Sequence, residues 1–96
     1  MPLYDALYPV GTPVRIADRD ALEQFRASWH YHNPLRDEQL AYADRPATVK
    51  NVGFYHGGDV LYELDGIPGT WHEQVLRRRP VRVLSNKRLK LTARVD

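Results

Sequence analysis

Residues 47–79 constrain this chain more than any other stretch. They read ATVKNVGFYHGGDVLYELDGIPGTWHEQVLRRR, which is the pattern of a β-meander. Two runs of strand-forming residues, 47–55 and 60–64, are separated by His56-Gly57-Gly58-Asp59. Val49, Val52, Phe54, Tyr55, Val60, Leu61, Tyr62 and Leu64 carry branched or aromatic side chains that suit a pleated, half-buried surface. Gly57 and Gly58 can take positive φ, as tight hairpin turns require. Gly53 predicts a bulge or bend within the first of these strands. A second turn, Asp65-Gly66-Ile67-Pro68-Gly69, leads into Thr70-Trp71-His72. Phe54, Tyr62 and Trp71 are the expected core aromatics of the meander.

The rest of the chain fits around that unit. The segment Val10-Gly11-Thr12-Pro13-Val14-Arg15-Ile16 reads as a glycine-led turn into a short strand, with Pro13 at its first or an edge position. Residues 18–29 read as a helix capped by Asp18 or Asp20, with Leu22, Phe25 and Trp29 on one face. Asn33 and Pro34 open a second helix as cap and first position, and Asp44-Arg45-Pro46 ends it. Leu3, Tyr4, Leu7 and Tyr8 pack an irregular arm or a single helical turn. Residues 73–75 form one tight helical turn, and residues 76–83 a last strand. The chain therefore divides into one domain, residues 1–84, and a basic tail, residues 85–96, expected to be flexible or packed on a partner subunit.

Charge bears on partners. The net charge of +2 comes from the tail, because residues 1–84 carry ten Lys/Arg against eleven Asp/Glu. A nucleic-acid surface needs a basic stripe on the folded body. Here Arg77, Arg78 and Arg79 with Arg82 make the body's one local basic run, which reads first as a solvated strand end. Nucleic-acid binding through that run and the tail is thus a weaker reading. No apolar run approaches the roughly 20 residues of a membrane helix. The chain has no cysteine, so disulfides and thiolate chemistry are excluded. With neither a basic region nor an apolar signal core at residues 1–5, a cytoplasmic location is expected.

The layout of a short strand, a long first loop, a three-strand meander, a single turn and a last strand resembles the Src-homology-3-like (SH3-like) small barrels. GTPVRI resembles their opening strand, and ATVKNVGFY, VLYEL and TWHEQVLRR resemble the remaining strands. The resemblance covers roughly residues 10–83 and implies a mainly β fold with two short helices. That fold is an SH3-like small barrel of about five strands with a helical insertion, residues 18–43, after the first strand. The insertion departs from the family pattern and is expected to cover one barrel mouth. The acidic and aromatic loop motif of proline-peptide binders has no match here. The terminal string NKRLKLTAR, residues 86–94, looks like translated recombination-site DNA at the end of a bacterial integron gene cassette. It implies a mobile gene cassette and is silent on activity.

The candidate chemistry is mostly aromatic. His30, His32, His56 and His72 are the imidazoles available for a metal, but no fixed tetrahedral ligand set is apparent, and neither metal nor cofactor is expected. Asp59, Glu63, Asp65 and Glu73 lie along the meander, and His72 with Glu73 is the one adjacent acid–base pair. No nucleophile elbow or phosphate loop is present, so no catalytic residue is assigned. By contrast, the aromatic set exceeds what so small a core must bury, and Trp29, Tyr31, His32, Tyr55, His56 and His72, with Trp71 at the border of the core, are the candidate site residues. They predict a patch for a small-molecule ligand or a partner protein. The expectation is a non-enzymatic binding module that forms a homo-oligomer. The alternative is an oligomeric barrel enzyme with a shared pore, similar in architecture to the cassette-borne trimethoprim-resistant dihydrofolate reductases. Their Val-Gln-Ile-Tyr motif is absent, Thr70-Trp71-His72-Glu73 being the nearest stretch.

Overall fold

The computed structural model describes residues 6–55 and 58–79. The expectations for residues 1–5, for His56 and Gly57, and for everything from Pro80 onward, including the tail, lie outside the described residues. Five strands form a single antiparallel sheet in the order β4-β3-β2-β1-β5. They are β1 (Pro13–Ile16), β2 (Pro46–Tyr55), β3 (Asp59–Leu64), β4 (Ile67–His72) and β5 (Leu76–Arg78). A helix, α1 (Arg19–Ser28), and a 3-10 helix (Asp37–Tyr42) fill the connection from β1 to β2. The architecture is thus mainly β with two short helices, as expected.

The strand order has a geometric consequence. β4 and β5 are edge strands at opposite ends of the sheet, yet only the 3-10 turn Glu73–Val75 joins them. In a flat sheet, four strand spacings would separate them by about 19 Å. The link from His72 to Leu76 can reach at most about 14 Å. The sheet must therefore curl. Among the described residues β4 and β5 do not pair, so the curled sheet is not closed. β2 accommodates the curl by serving both halves: Pro46, Ala47 and Thr48 pair with β1, while Val49 to Tyr55 pair with β3.

The concave side holds the core. Val14, Ile16, Val49, Tyr62, Trp71, Val75 and Leu76 are fully buried, and Leu22 of α1 closes over them. Asp18 caps α1, its side chain accepting from the Ala21 N–H at 2.8 Å. The helical excursion leaves and returns at one clasp. The Asp44 N–H donates to the carbonyls of Ile16 and Ala17 at 3.1 Å, and the Ile16 N–H donates to Arg45 O at 2.9 Å. Glu73 anchors the N-terminal arm: its Oε2 accepts from the Tyr62 hydroxyl at 2.5 Å and from the Leu7 N–H at 3.0 Å. Tyr8 is buried against Tyr62, while Leu7 beside it is exposed. Burial, and then the bond to Glu73, push the Tyr62 hydroxyl pKa well above its ordinary value.

Several local expectations are corrected. The irregularity in β2 falls at Lys50, between the pairs Val49↔Leu64 and Asn51↔Glu63, whereas Gly53 pairs regularly with Leu61. The bulge sits where β2 passes from one partner to the other, a demand set by the sheet rather than by glycine. The second turn is only Asp65-Gly66, with Gly66 at φ 71° and Leu64 facing Ile67 across it. Pro68 then lies within β4, which tolerates it as an edge strand. The second helix begins at Asp37, because Asn33 takes a left-handed φ of 52° and cannot cap a helix there. Phe54 is 43% exposed and not part of the core, whereas Val52 two residues earlier in β2 packs against it.

Gly69 shows where glycine is required. Its φ is +98°, and an added Cβ would come within 2.9 Å of Gln39 Nε2. That amide is fixed: Gln39 Oε1 accepts from the Arg36 N–H at 2.9 Å, and Nε2 donates to Thr70 O at 3.0 Å. Gly69→Ala is expected to destabilise by at least the ~1–2 kcal/mol of a left-handed L-residue. Gly53→Ala meets nothing within 4 Å and should stabilise slightly, by up to about 1 kcal/mol. Urea denaturation of the two variants checks this contrast. Equal and opposite ordering would contradict the assigned positions of the two glycines.

Candidate functional site

Three separate segments meet at one end of the curled sheet. α1 ends at Trp29, whose backbone N–H donates to Phe25 O at 2.8 Å. The chain then turns through Tyr31, His32 and Asn33 across the β2–β3 hairpin. Tyr55 is the last residue of β2 and Asp59 the first of β3, and they pair across the hairpin. His72, the last residue of β4, rises from below. The curl that brings β4 toward β5 also brings His72 beneath Trp29 and His32.

The rings form one continuous cluster. His32 stacks on Tyr55 with centroids 3.7 Å apart and planes at 17°. Trp29 meets Tyr31 edge-on at 5.1 Å and His32 edge-on at 5.3 Å. His72 lies 4.8 Å from Trp29, 4.9 Å from Phe25 and 5.4 Å from His32. Edge-to-face and offset arrangements are those the ring quadrupoles favour. Hydrogen bonds fix the geometry. Trp29 Nε1–H donates to His32 O at 2.7 Å, and His72 Nε2–H donates to Asn33 O at 2.9 Å. His32 Nε2 bonds Asp59 Oδ2 at 2.8 Å, and its Nδ1 lies 2.9 Å from the Asn33 side-chain oxygen.

Between these groups lies a cleft of about 490 Å³, lined by Trp29, Tyr31, His32, Tyr55 and Asp59. Tyr31 is 71% exposed, so one wall stands in solvent. A larger depression, 580 Å³, runs between Asn33, Gln39, Tyr42 and the Pro68-Gly69-Thr70 segment. Its central amide, Gln39, is already bonded at both ends to the backbone.

The sequence-predicted residues separate here. Trp29, Tyr31, His32 and Tyr55 line the cleft. His72 is only 3% exposed and supports it from within. Trp71 is fully buried in the core, where its ring meets Tyr42 edge-on and its indole N–H donates to Pro68 O at 3.3 Å. His56 lies outside the described residues. His72 and Glu73 do not act as a pair, since His72 bonds Asn33 O and Glu73 bonds Tyr62. Asp59, which the sequence offers only as one of four carboxylates along the meander, and Asn33 join these residues at the site. The one local signal for Asp59 is its position across the hairpin from Tyr55. Asn33 is an asparagine at positive φ, which sequence reading took as a helix cap. Among the described residues no group of three or more His, Asp or Glu side chains is arranged to hold a metal ion. Among the described residues, no helix is long and apolar enough to cross a membrane.

The two histidines titrate in opposite directions. Bonds to Asp59 and Asn33 raise the His32 pKa above its ordinary 6.5. Burial, first, and the nearby charge of His32 lower that of His72. The His32 contribution to stability is therefore present below pH 6.5 and lost as pH rises through its raised pKa. For His72 the neutral ring is the stable form, and stability is lost as pH falls below 6.5. An NMR titration should find His32 Cε1–H titrating above 6.5 and His72 below it, with Asp59→Asn lowering the His32 value. A reversed order would contradict the assigned burial and pairing.

No protein-family model, no curated protein and no solved structure matches this chain.

Proposed function

We propose that this protein is a small non-enzymatic binding module whose site is the cleft of Trp29, Tyr31, His32, Tyr55 and Asp59. The observation that carries this reading is an exposed aromatic cleft whose rings are already held in place by hydrogen bonds within the chain. Rings fixed before binding lose little conformational freedom when a ligand arrives, so contact area converts to affinity more efficiently. Concave, mostly aromatic surfaces with few polar groups are where small ligands and partner side chains dock. Ser28 Oγ donates to Phe25 O within its own helix.

The body of the domain is, in this reading, an SH3-like small barrel. Its strand order, the division of β2 between two partners and the single 3-10 turn before the last strand support that assignment. The helical excursion then takes the place of the long first loop and supplies half of the cleft. The terminal NKRLKLTAR string supports origin in a mobile gene cassette. Self-association belongs to the same reading, supported by exposed Tyr31 and Phe54 near the hairpin tip. Light scattering at rising concentration checks it, a strict monomer removing that element.

The cleft itself is tested by heteronuclear NMR with a panel of small aromatic and amine fragments. Shifts should concentrate on the Trp29 indole and on Tyr31, His32 and Tyr55. Tyr55→Ala is expected to weaken the best fragment by about fivefold, a ring contact being worth roughly 1 kcal/mol, with little change in Tm. Shifts confined to the Gln39–Tyr42 depression would move the site there and overturn this assignment.

A further inference from the structure

The groups that the cleft leaves for recognition are unusual in kind. The indole N–H of Trp29 is committed to His32 O, and both ring nitrogens of His32 face Asp59 and Asn33. Apart from the phenol hydroxyls of Tyr31 and Tyr55, the walls therefore present rings rather than donors. The charged side chain left at the rim is Asp59, which is 46% exposed and bonded through one oxygen. Among the described residues, no Lys or Arg lines this cleft.

From this arrangement we propose that the cleft binds an organic cation, an alkylammonium or guanidinium group seated between the Trp29, Tyr31 and Tyr55 rings and Asp59. The inference rests on the cleft being a binding site, as proposed above. Ring faces carry the negative end of the aromatic quadrupole and attract cations, most strongly when water is displaced. The Asp59 carboxylate adds Coulomb attraction from the same side. An anion would meet that carboxylate without a compensating cation. A neutral ligand would strip water from Asp59 and return at most a hydrogen bond, without the charge.

His32 sets the conditions under which the site is open to such a ligand. It is faced by Asp59 from β3, Tyr55 from β2, His72 from β4 and Trp29 from the end of α1. With a second proton, His32 is itself a cation stacked on Tyr55 and paired with Asp59. The cleft then holds its own counter-ion. When His32 is neutral, the Asp59 charge is uncompensated, and an external cation takes that place. Proton and ligand therefore compete, and by linkage a bound cation must lower the His32 pKa.

Choline and dimethylbutanol, its uncharged carbon isostere, separate charge from shape. Both are titrated into the full chain while the Trp29, Tyr31 and Tyr55 ring resonances are followed. Choline is expected to bind about tenfold more tightly than the isostere. Its affinity should strengthen from about pH 5 to about pH 8, the range in which histidine charge changes. Asp59→Asn should narrow the difference between the two probes to what the ring faces alone supply, and His32→Gln should erase the pH dependence. Melting curves of both variants confirm that the fold persists. Equal binding of both probes at the cleft would overturn the cation inference while leaving the binding-module reading in place. Perturbation of the cleft by neither probe would overturn the inference and count against the binding site itself.

Discussion

The short connection between β4 and β5 governs the structure. Three residues, Glu73–Val75, join strands that lie at opposite ends of the sheet order. That link forces the curl, the curl creates a concave face, and Tyr62, Trp71, Val75 and Leu76 fill it. The same link carries Glu73, which holds the Tyr62 hydroxyl and the N-terminal arm. It also fixes where β4 stops, and hence where His72 stands beneath Trp29. Core and cleft are two results of one constraint.

Within the cleft, burial and pairing act against each other on neighbouring imidazoles. His72 is enclosed by Phe25, Trp29 and His32, an environment that disfavours charge. Its Nε2–H donates to Asn33 O, which selects that tautomer. His32 sits a layer further out, where Asp59 and the Asn33 side chain favour the protonated ring. The positive φ of Asn33 allows its carbonyl and its side chain to address the two histidines separately. A proton on His32 makes one on His72 less favourable, so the pair holds its charge on the solvent side.

Much of this fold is legible in the sequence where the cause is local. Alternation marks β3, where Tyr62 and Leu64 are buried and Glu63 is exposed. The spacing of Leu22, Phe25 and Trp29, with Asp18 before them, marks α1. What could not be read depends on distant partners. The bulge at Lys50 is set by β2 changing partners, and local reading placed it at the nearest glycine, Gly53. Gly69 looked like a turn residue, but its requirement comes from Gln39, thirty positions earlier in the chain. Phe54 has the composition of a core residue and is 43% exposed. The ring types of the cleft were visible, whereas the Asp59–His32 bond joins residues 27 apart and leaves no mark in either neighbourhood.

The central claim is that the helical excursion and the β2–β3 hairpin meet as a preformed cleft over His72. Nuclear Overhauser contacts in the ligand-free protein test it most directly. The account predicts strong contacts between the His32 and Tyr55 rings and between the Trp29 and His72 rings, alongside those of the Leu22 and Phe25 core. Core contacts present with both ring contacts missing would contradict it, leaving a curled sheet without the site assigned to it.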